Sequence, residues 1–395
     1  MQYSFHYVKD TLVTDCSYIG VSNDNDGIFK SGILDADGKE ILKSGLYTLV
    51  MKPQGGMVRY YICEKKKTIC GYHNLATGQS FVAATFDVNY EKIDYWTHGD
   101  FAGSVAPVYT GTEWTFIDKE GKTVRSGFKD VKHSQIAGLW AATEANGKIK
   151  VFDENNNDLA ALSGYDDILF PQVKGDADIF IVKKNNVYGG VDRQGKTVIP
   201  FDYQKAIAPS YDVVRVCKNG MWGAVSPTGQ VIVPVQYASV VEPSERGAQH
   251  LWVTKNDKRY YHYNAAAQKQ SPTGYAMAYN FYKSVAQVRP VNMKLENSNI
   301  NKAQILPPNT PQVKIDTVQV QNYAKDFGYL LSDKDELLFD RPVYMTNIGA
   351  VVSTLEKVNF RKLNETEKKA LLLYVTRQNR SYKLSEAIGE DEWDY

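Results

Sequence analysis

Two stretches decide the fold: Tyr188-Gly189-Gly190-Val191-Asp192-Arg193-Gln194-Gly195-Lys196-Thr197-Val198-Ile199-Pro200-Phe201-Asp202-Tyr203 and Met221-Trp222-Gly223-Ala224-Val225-Ser226-Pro227-Thr228-Gly229-Gln230-Val231-Ile232-Val233-Pro234-Val235-Gln236-Tyr237. Each reads as a strand, a D/S-x-x-G turn, a second strand, and an aromatic beyond a proline. The turn glycine supplies the positive φ that closes a short hairpin. A proline cannot donate to a sheet ladder, so Pro200 and Pro234 are expected to end their strands. Upstream of the second copy, Val213 to Cys217 and the Lys218-Asn219-Gly220 turn add a further hairpin, since Asn-Gly is a strong hairpin signal.

Working outward, the same scheme recurs more loosely. Gly38, Gly78 and Gly121 close earlier copies, Asn156 stands in for glycine in another, and Ala267 marks an eroded one. With Gly195 and Gly229 these anchors have a mean spacing of about 38 residues, the period of propeller blades or stacked hairpins. A second landmark keeps the same phase: Tyr47, Phe86, Phe128, Tyr165, Tyr203, Tyr237 and Tyr275 each follow an anchor by 7 to 9 residues. Each unit then holds three or four short strands. Closing such units into a seven-bladed β-propeller-like ring leaves only short edges, and this is the expected architecture; an open β-solenoid is the alternative. Strand-like stretches between Met1 and Ile19 would supply a closing strand.

The stretch from Lys218 through Trp222-Gly223 to Gly229 and Pro234 resembles the bacterial WG-repeat family, with its Trp-Gly signature; Tyr188-Gly189 is the same pair with tyrosine for tryptophan. The resemblance is specific over residues 183–240 and weaker over 28–280. It implies a protein built to interact. The repeat-signature residues are Gly38, Gly78, Gly121, Tyr188, Gly189, Gly195, Trp222, Gly223 and Gly229.

The domain reading is a repeat array over 1–285, a linker over 286–312 that carries Pro307, Pro308 and Pro311, and a mixed, partly helical region over 313–395. Gly328 to Asp335 faintly echoes the repeat, with Tyr344 where its aromatic would fall. Helix signals are confined to the end. Asn364 can cap, Glu367 sits three residues on, and Ala370 to Val375 follows; Leu384 to Ile388 suggests a second short helix. Basic Lys368, Lys369, Arg377 and Arg380 invite a DNA-binding reading, which the acidic run of Glu386, Glu390, Asp391, Glu392 and Asp394 opposes.

The remaining features exclude more than they assign. Forty-six basic and 45 acidic residues give a formal charge of +1, so no global field draws in nucleic acid. Hydrophobic residues at 43% with 27 tyrosines suit a globular, β-rich chain. Cys16, Cys63, Cys70 and Cys217 form neither a zinc pattern nor a dense disulfide set, which fits buried thiols in a reducing cytosol. No apolar run is long enough to span a membrane, and the start from Met1 to His6 shows no basic stretch leading into an apolar core, so the chain is expected to be cytoplasmic; a secreted chain stripped of its leader would read the same way. Gly190 to Thr197 satisfies the literal P-loop pattern, but strand residues and Pro200 follow it instead of a helix. Ser22 to Gly27 and Asp153 to Asp158 resemble parts of calcium loops without the required ligand positions. His6, His73, His98, His133, His250 and His262 show no metal-ligand spacing, and Trp96, Trp114, Trp140, Trp252 and Trp393 read as singletons. The expectation is a non-enzymatic interaction scaffold or regulatory binding subunit that needs no cofactor or metal and partners another protein. A carbohydrate- or small-ligand-binding module is the alternative.

Overall fold

The computed structural model describes residues 3–9, 17–24, 29–35, 38–63, 67–86, 99–247, 249–291, 327–339, 343–344, 348–359, 363–368 and 371. The chain divides into two compact units, Met1–Thr197 and Val198–Tyr395. It is mainly β, and every sheet has its strands in sequence order without crossovers. This is the up-and-down meander of which propeller blades are made.

In the first unit, β1 (Tyr3–Lys9), β2 (Ser17–Asp24), β3 (Phe29–Leu34) and β4 (Glu40–Tyr47) form one four-stranded sheet, and β5 (Leu49–Val50), β6 (Met57–Cys63), β7 (Thr68–Asn74) and β8 (Ser80–Phe86) the next. A five-stranded sheet follows: β9 (Ala106–Tyr109), β10 (Trp114–Ile117), β11 (Thr123–Ser134), β12 (Leu139–Glu144) and β13 (Ile149–Asp153). It holds two modules fused through the long β11, whose first half closes the third module and whose second half opens the fourth. Then come β14 (Asp167–Leu169), β15 (Ile179–Lys184), β16 (Val187–Asp192) and β17 (Thr197–Tyr203), the last carrying the chain into the second unit.

The second unit holds a sixth module, β18 (Lys205–Ala206), β19 (Val214–Lys218), β20 (Met221–Val225) and β21 (Val231–Tyr237). A seven-stranded sheet completes it: β22 (Ser239–Val240), β23 (His250–Thr254), β24 (Tyr260–Asn264), β25 (Lys269–Ala278), β26 (Val285–Pro290), β27 (Phe327–Ser332) and β28 (Val343–Tyr344). Like β11, the long β25 fuses two modules. The faint echo at Gly328 to Asp335 is therefore an eighth copy of the hairpin. Its turn has the same bonds as the best copy: Asp335 N–H donates to the Ser332 carbonyl, as Gly195 N–H does to Asp192. Strand β26 thus takes up residues 286–290 of the stretch expected to be a linker, whose residues 292–312 lie outside the described residues.

Two local expectations are corrected. Pro200 and Pro234 do not end their strands, since β17 and β21 run through them. In β21 the pairing jumps from Val233 opposite Ala224 to Tyr237 opposite Trp222, so Pro234 sits in a β-bulge where no ladder hydrogen bond is asked of it. Within the expected partly helical C-terminal region, a helix also precedes the one expected after Asn364. Ile348–Lys357 forms α1, which buries Val351, Val352 and Leu355 against Val285 and Leu330. The 348, 351, 352, 355 spacing is a helical apolar stripe, masked by the β-branched content of the segment. The expected cap at Asn364 forms a reciprocal box. Glu367 N–H donates to Asn364 Oδ1 at 2.9 Å and Asn364 N–H donates to Glu367 Oε2 at 2.7 Å. The helix expected over Leu384 to Ile388 lies outside the described residues.

Candidate functional site

The signature residues divide by the space around them. Gly121, Gly195 and Gly229 all have positive φ, and a Cβ on each would meet the preceding module: Phe81 at 2.8 Å, the Ala161 carbonyl oxygen at 2.8 Å and the Val198 carbonyl oxygen at 2.6 Å. They are therefore seam residues, glycine for closeness of approach as well as for conformation. Gly38 and Gly78 share the positive φ but face open space. Where the repeat loses its glycine, a side chain takes over the seam. Asn156, at φ 69°, is clasped by Arg125 of β11, whose Nη2 donates to the Asn156 carbonyl at 2.8 Å. Gln268, not Ala267, is the left-handed residue of the corresponding turn in the seventh module, at φ 50°. Its amide donates to the Ile232 carbonyl at 3.2 Å, the counterpart on β21 of the carbonyl that Gly229 approaches on β17.

The Trp-Gly pair has a separate logic. A Cβ on Gly223 would lie 2.6 Å from the Val233 carbonyl oxygen and 2.8 Å from Val235, so the glycine lets β20 sit against the bulge of β21. Trp222 pairs in register with Tyr237, Trp114 with Phe128 and Tyr260 with Tyr275. Trp114, read as a singleton, is thus the third module's copy of the signature tryptophan. Gly71 does for the second module what Gly223 does for the sixth: its Cβ would meet the Phe81 carbonyl oxygen at 2.7 Å and the Tyr60 ring at 2.3 Å. It was missed because the Gly78 turn holds one extra residue, visible in the bond from Gly78 N–H to the Asn74 carbonyl. Tyr188 and Gly189 lie on β16, with Gly189 opposite Val182.

A second set of contacts runs forward, from the second strand of one module to a loop residue of the next. Arg59, with a side chain 3% exposed, pairs through Nε with Asp100 at 3.1 Å, and Arg215 pairs with Glu242 at 3.0 Å. At the same position in the seventh module, Trp252 Nε1–H donates to the Tyr279 carbonyl at 2.8 Å. Burial raises the Asp100 carboxyl above its ordinary range even though Arg59 pulls it down, and burial pushes the neighbouring Cys70 thiol up to about 12. These groups are structural, and the sequence offered no sign of their pairing.

Among the described residues, a groove of about 310 Å³ lies beside the eighth hairpin. Its apolar lining comes from Leu337 and Leu338 and from the core residues Val285, Phe339, Val351 and Leu371, which pack together beneath it, with Asp333, Lys334, Glu336 and Lys368 beside them. Leu337 is 49% exposed. The groove exists because the eighth hairpin has α1 for its neighbour, and the partly buried capping box places Leu363 and Leu371 opposite it.

The motif-like stretches resolve as turns. In the P-loop-like stretch, Asp192 Oδ1 accepts the N–H groups of Gln194 and Lys196, so its own carboxylate fills the cradle that a phosphate would need. Asp153 does the same in its loop, accepting from Asn155 and Asn157; burial is the largest single influence and raises its carboxyl, but those bonds and the Arg125 charge together hold it below the usual range. In the Ser22 to Gly27 stretch, residues 25–27 lie outside the described residues. Among the described residues no group of three His, Cys, Asp or Glu could hold a metal ion. His73 bonds Ser80, His133 bonds Glu154 at 2.9 Å, and His250 and His262 lie 2.9 Å apart, a pairing that their sequence separation hides.

Meandering modules locked by glycine turns and forward ion pairs define a β-repeat protein. Residues 188–222 match the WG containing repeat, so the chain carries the WG repeat, and the match runs from the aromatic of one Trp-Gly position to that of the next. No curated protein sequence matches the chain. Among solved structures, apo AztD from Citrobacter koseri is similar at 8% identity and a TM-score of 0.32, over 84% of this chain and 95% of that one. A eukaryotic initiation factor is similar at 11% identity and a TM-score of 0.35, over 87% of each chain. The WD40 β-propeller domain of Doa1 gives 9% identity and a TM-score of 0.23, over 62% of this chain and 92% of that one. Likenesses this distant carry nothing further to this chain.

Proposed function

We propose that the chain is a non-enzymatic interaction scaffold or regulatory binding subunit of the bacterial cytosol, working without cofactor, metal or nucleic acid, and that another protein docks in the groove beside the eighth hairpin. The observation that supports this is the groove itself, where an apolar lining and the half-exposed Leu337 meet the charged side chains of Asp333, Lys334, Glu336 and Lys368. Apolar residues that remain accessible in a concave rim of mixed charge are the usual core of a binding patch. The partly enclosed shape of the same groove favours a small apolar ligand as the second reading.

The test is an affinity purification of the tagged chain from the organism that encodes it, run beside a Leu337→Glu variant. A protein partner retained by the parent chain and lost from the variant supports docking in the groove. Equal recovery on both removes the groove from the proposal, and turnover of any substrate by the isolated chain removes the non-enzymatic reading.

A further inference from the structure

The seventh and eighth modules meet at a cluster of four titratable side chains. His262 on β24 is buried, with a side chain 2% exposed, and its Nδ1 lies 2.7 Å from Asp335 Oδ1 in the eighth hairpin turn. Its Nε2 lies 2.9 Å from Nδ1 of His250 on β23. The outer nitrogen of His250, Nε2, faces Asp333 Oδ2 at 3.8 Å, beyond hydrogen-bond reach. Phe281 packs on both imidazoles, at 5.3 Å from His250 and 4.8 Å from His262, and Trp252 packs on His262 at 5.9 Å. The other titratable group bearing on the cluster is Tyr275 of β25, raised by burial and then by Asp335.

Hydrogen-bond accounting fixes the protons. An ionised carboxylate only accepts, so His262 Nδ1 carries a hydrogen and donates to Asp335. A neutral His262 then presents a lone pair at Nε2, which takes the hydrogen on His250 Nδ1. The chain Asp335–His262–His250 is therefore complete with both imidazoles neutral. An added proton has one vacant nitrogen, His250 Nε2, and there it finds Asp333 too far away to bond. A further proton would have to enter the 2.9 Å contact between the rings, which has room for only one hydrogen.

We propose that this cluster is a proton-operated latch: with both histidines neutral it holds the eighth hairpin against the seventh module, and protonation in mild acid releases it. The turn it holds also carries Asp333, Lys334 and Glu336 at the groove rim. Release would alter the groove wall, but the latch stands whether or not the groove binds a partner. Burial, and then His262, lower the His250 pKa, while Asp333 and Asp335 pull it up less strongly. The neutral form is thus the one favoured in the closed state. By linkage the latch contributes fully above the open-state value of 6.5 and loses its contribution as pH falls below it.

Hydrogen–deuterium exchange of the full chain at pH 7.5 and 5.5, corrected for intrinsic rates, tests this on peptides spanning 327–339. With an open-state pKa of 6.5, the opening constant should rise up to about 10-fold over that interval, while peptides spanning 179–192 hold steady. His250→Asn keeps a donor near the Nδ1 position and removes the titration, so its acid response should be largely lost. Protection that is unchanged or rises in acid, or an equal acid response in His250→Asn, overturns the latch. Should His250→Asn misfold, a histidine-selective NMR titration of the parent chain decides: His250 titrating below an ordinary imidazole supports the latch, and at or above it overturns it.

Discussion

Gly229→Ala and Gly220→Ala place the same methyl group on the same module in nearly the same backbone state, with opposite surroundings. Gly220 has φ +77° and nothing within 4 Å of its absent Cβ, whereas Gly229 has φ +82° and the Val198 carbonyl oxygen 2.6 Å away. An L-residue held in the left-handed region costs about 1–2 kcal/mol, and both variants should bear that cost. Only Gly229→Ala must also push back the neighbouring strand. Restoring ordinary contact requires the backbone to open by roughly 0.7 Å, and overpacking of this kind costs about 1–3 kcal/mol. Gly229→Ala should therefore be the less stable by about 1–3 kcal/mol. With a urea slope of about 3 kcal/mol/M, the midpoints would part by roughly 0.3–1 M. Repeat arrays need not unfold in one step, so the melt is best paired with hydrogen exchange on the peptides of β17 and β21. If the two midpoints coincide and the exchange of β17 is unchanged, the turn glycines are there for conformation alone and the seam argument fails.

Three further outcomes follow from other contacts. Asp100→Asn leaves the Arg59 guanidinium buried without its counter-charge and should cost about 3–5 kcal/mol. Glu242→Gln, at the equivalent but half-exposed pair, should cost about 1 kcal/mol or less, and similar urea midpoints for the two would refute the distinction. Cys70 has no exposed surface and its thiol is pushed up to about 12 by burial, so iodoacetamide at pH 8.5 should label it only as fast as its module opens. Because the folded thiol value lies above the ordinary thiol value of 9.0, its contribution to stability is full below 9.0 and declines as pH rises from there towards about 12. Labelling of the native chain at the rate of a free thiol would contradict the burial. Gln268→Ala removes the amide bonds to the Ile232 and Ala265 carbonyls and should cost about 1 kcal/mol. An unchanged exchange rate at β21 would show that the glutamine does not take over the seam.

Why some of this was legible in the sequence and some not comes down to how local each cause is. The Gly195 and Gly229 turns could be read because their bonds, from Gly195 N–H to Asp192 and from Gly229 N–H to Ser226, close within four residues. The aromatic landmark could be read too, because Tyr237 and Tyr275 end the same hairpins that begin with Trp222 and Tyr260. Legibility failed one residue at a time where the turn lengthened: an extra residue before Gly78 hid Gly71, and the same lengthening put the seventh anchor on Ala267 when the left-handed residue is Gln268. It failed altogether between modules. Nothing near Arg59 announces Asp100, and nothing near His262 announces Asp335, 73 residues away, because those partners are chosen by stacking. The groove is of that second kind, walled by β26, the eighth hairpin and α1, which are brought together across a long insertion. In a repeat protein the module is written locally, and what distinguishes one member from another is written in the seams, where a glycine, an Asn156 clasped by Arg125, a Gln268 amide and an Asp335 carboxylate all occupy one structural position. The position at which the glycine is replaced by a titratable group is also the one beside the groove, so the seam that departs furthest from the repeat is where function should be sought.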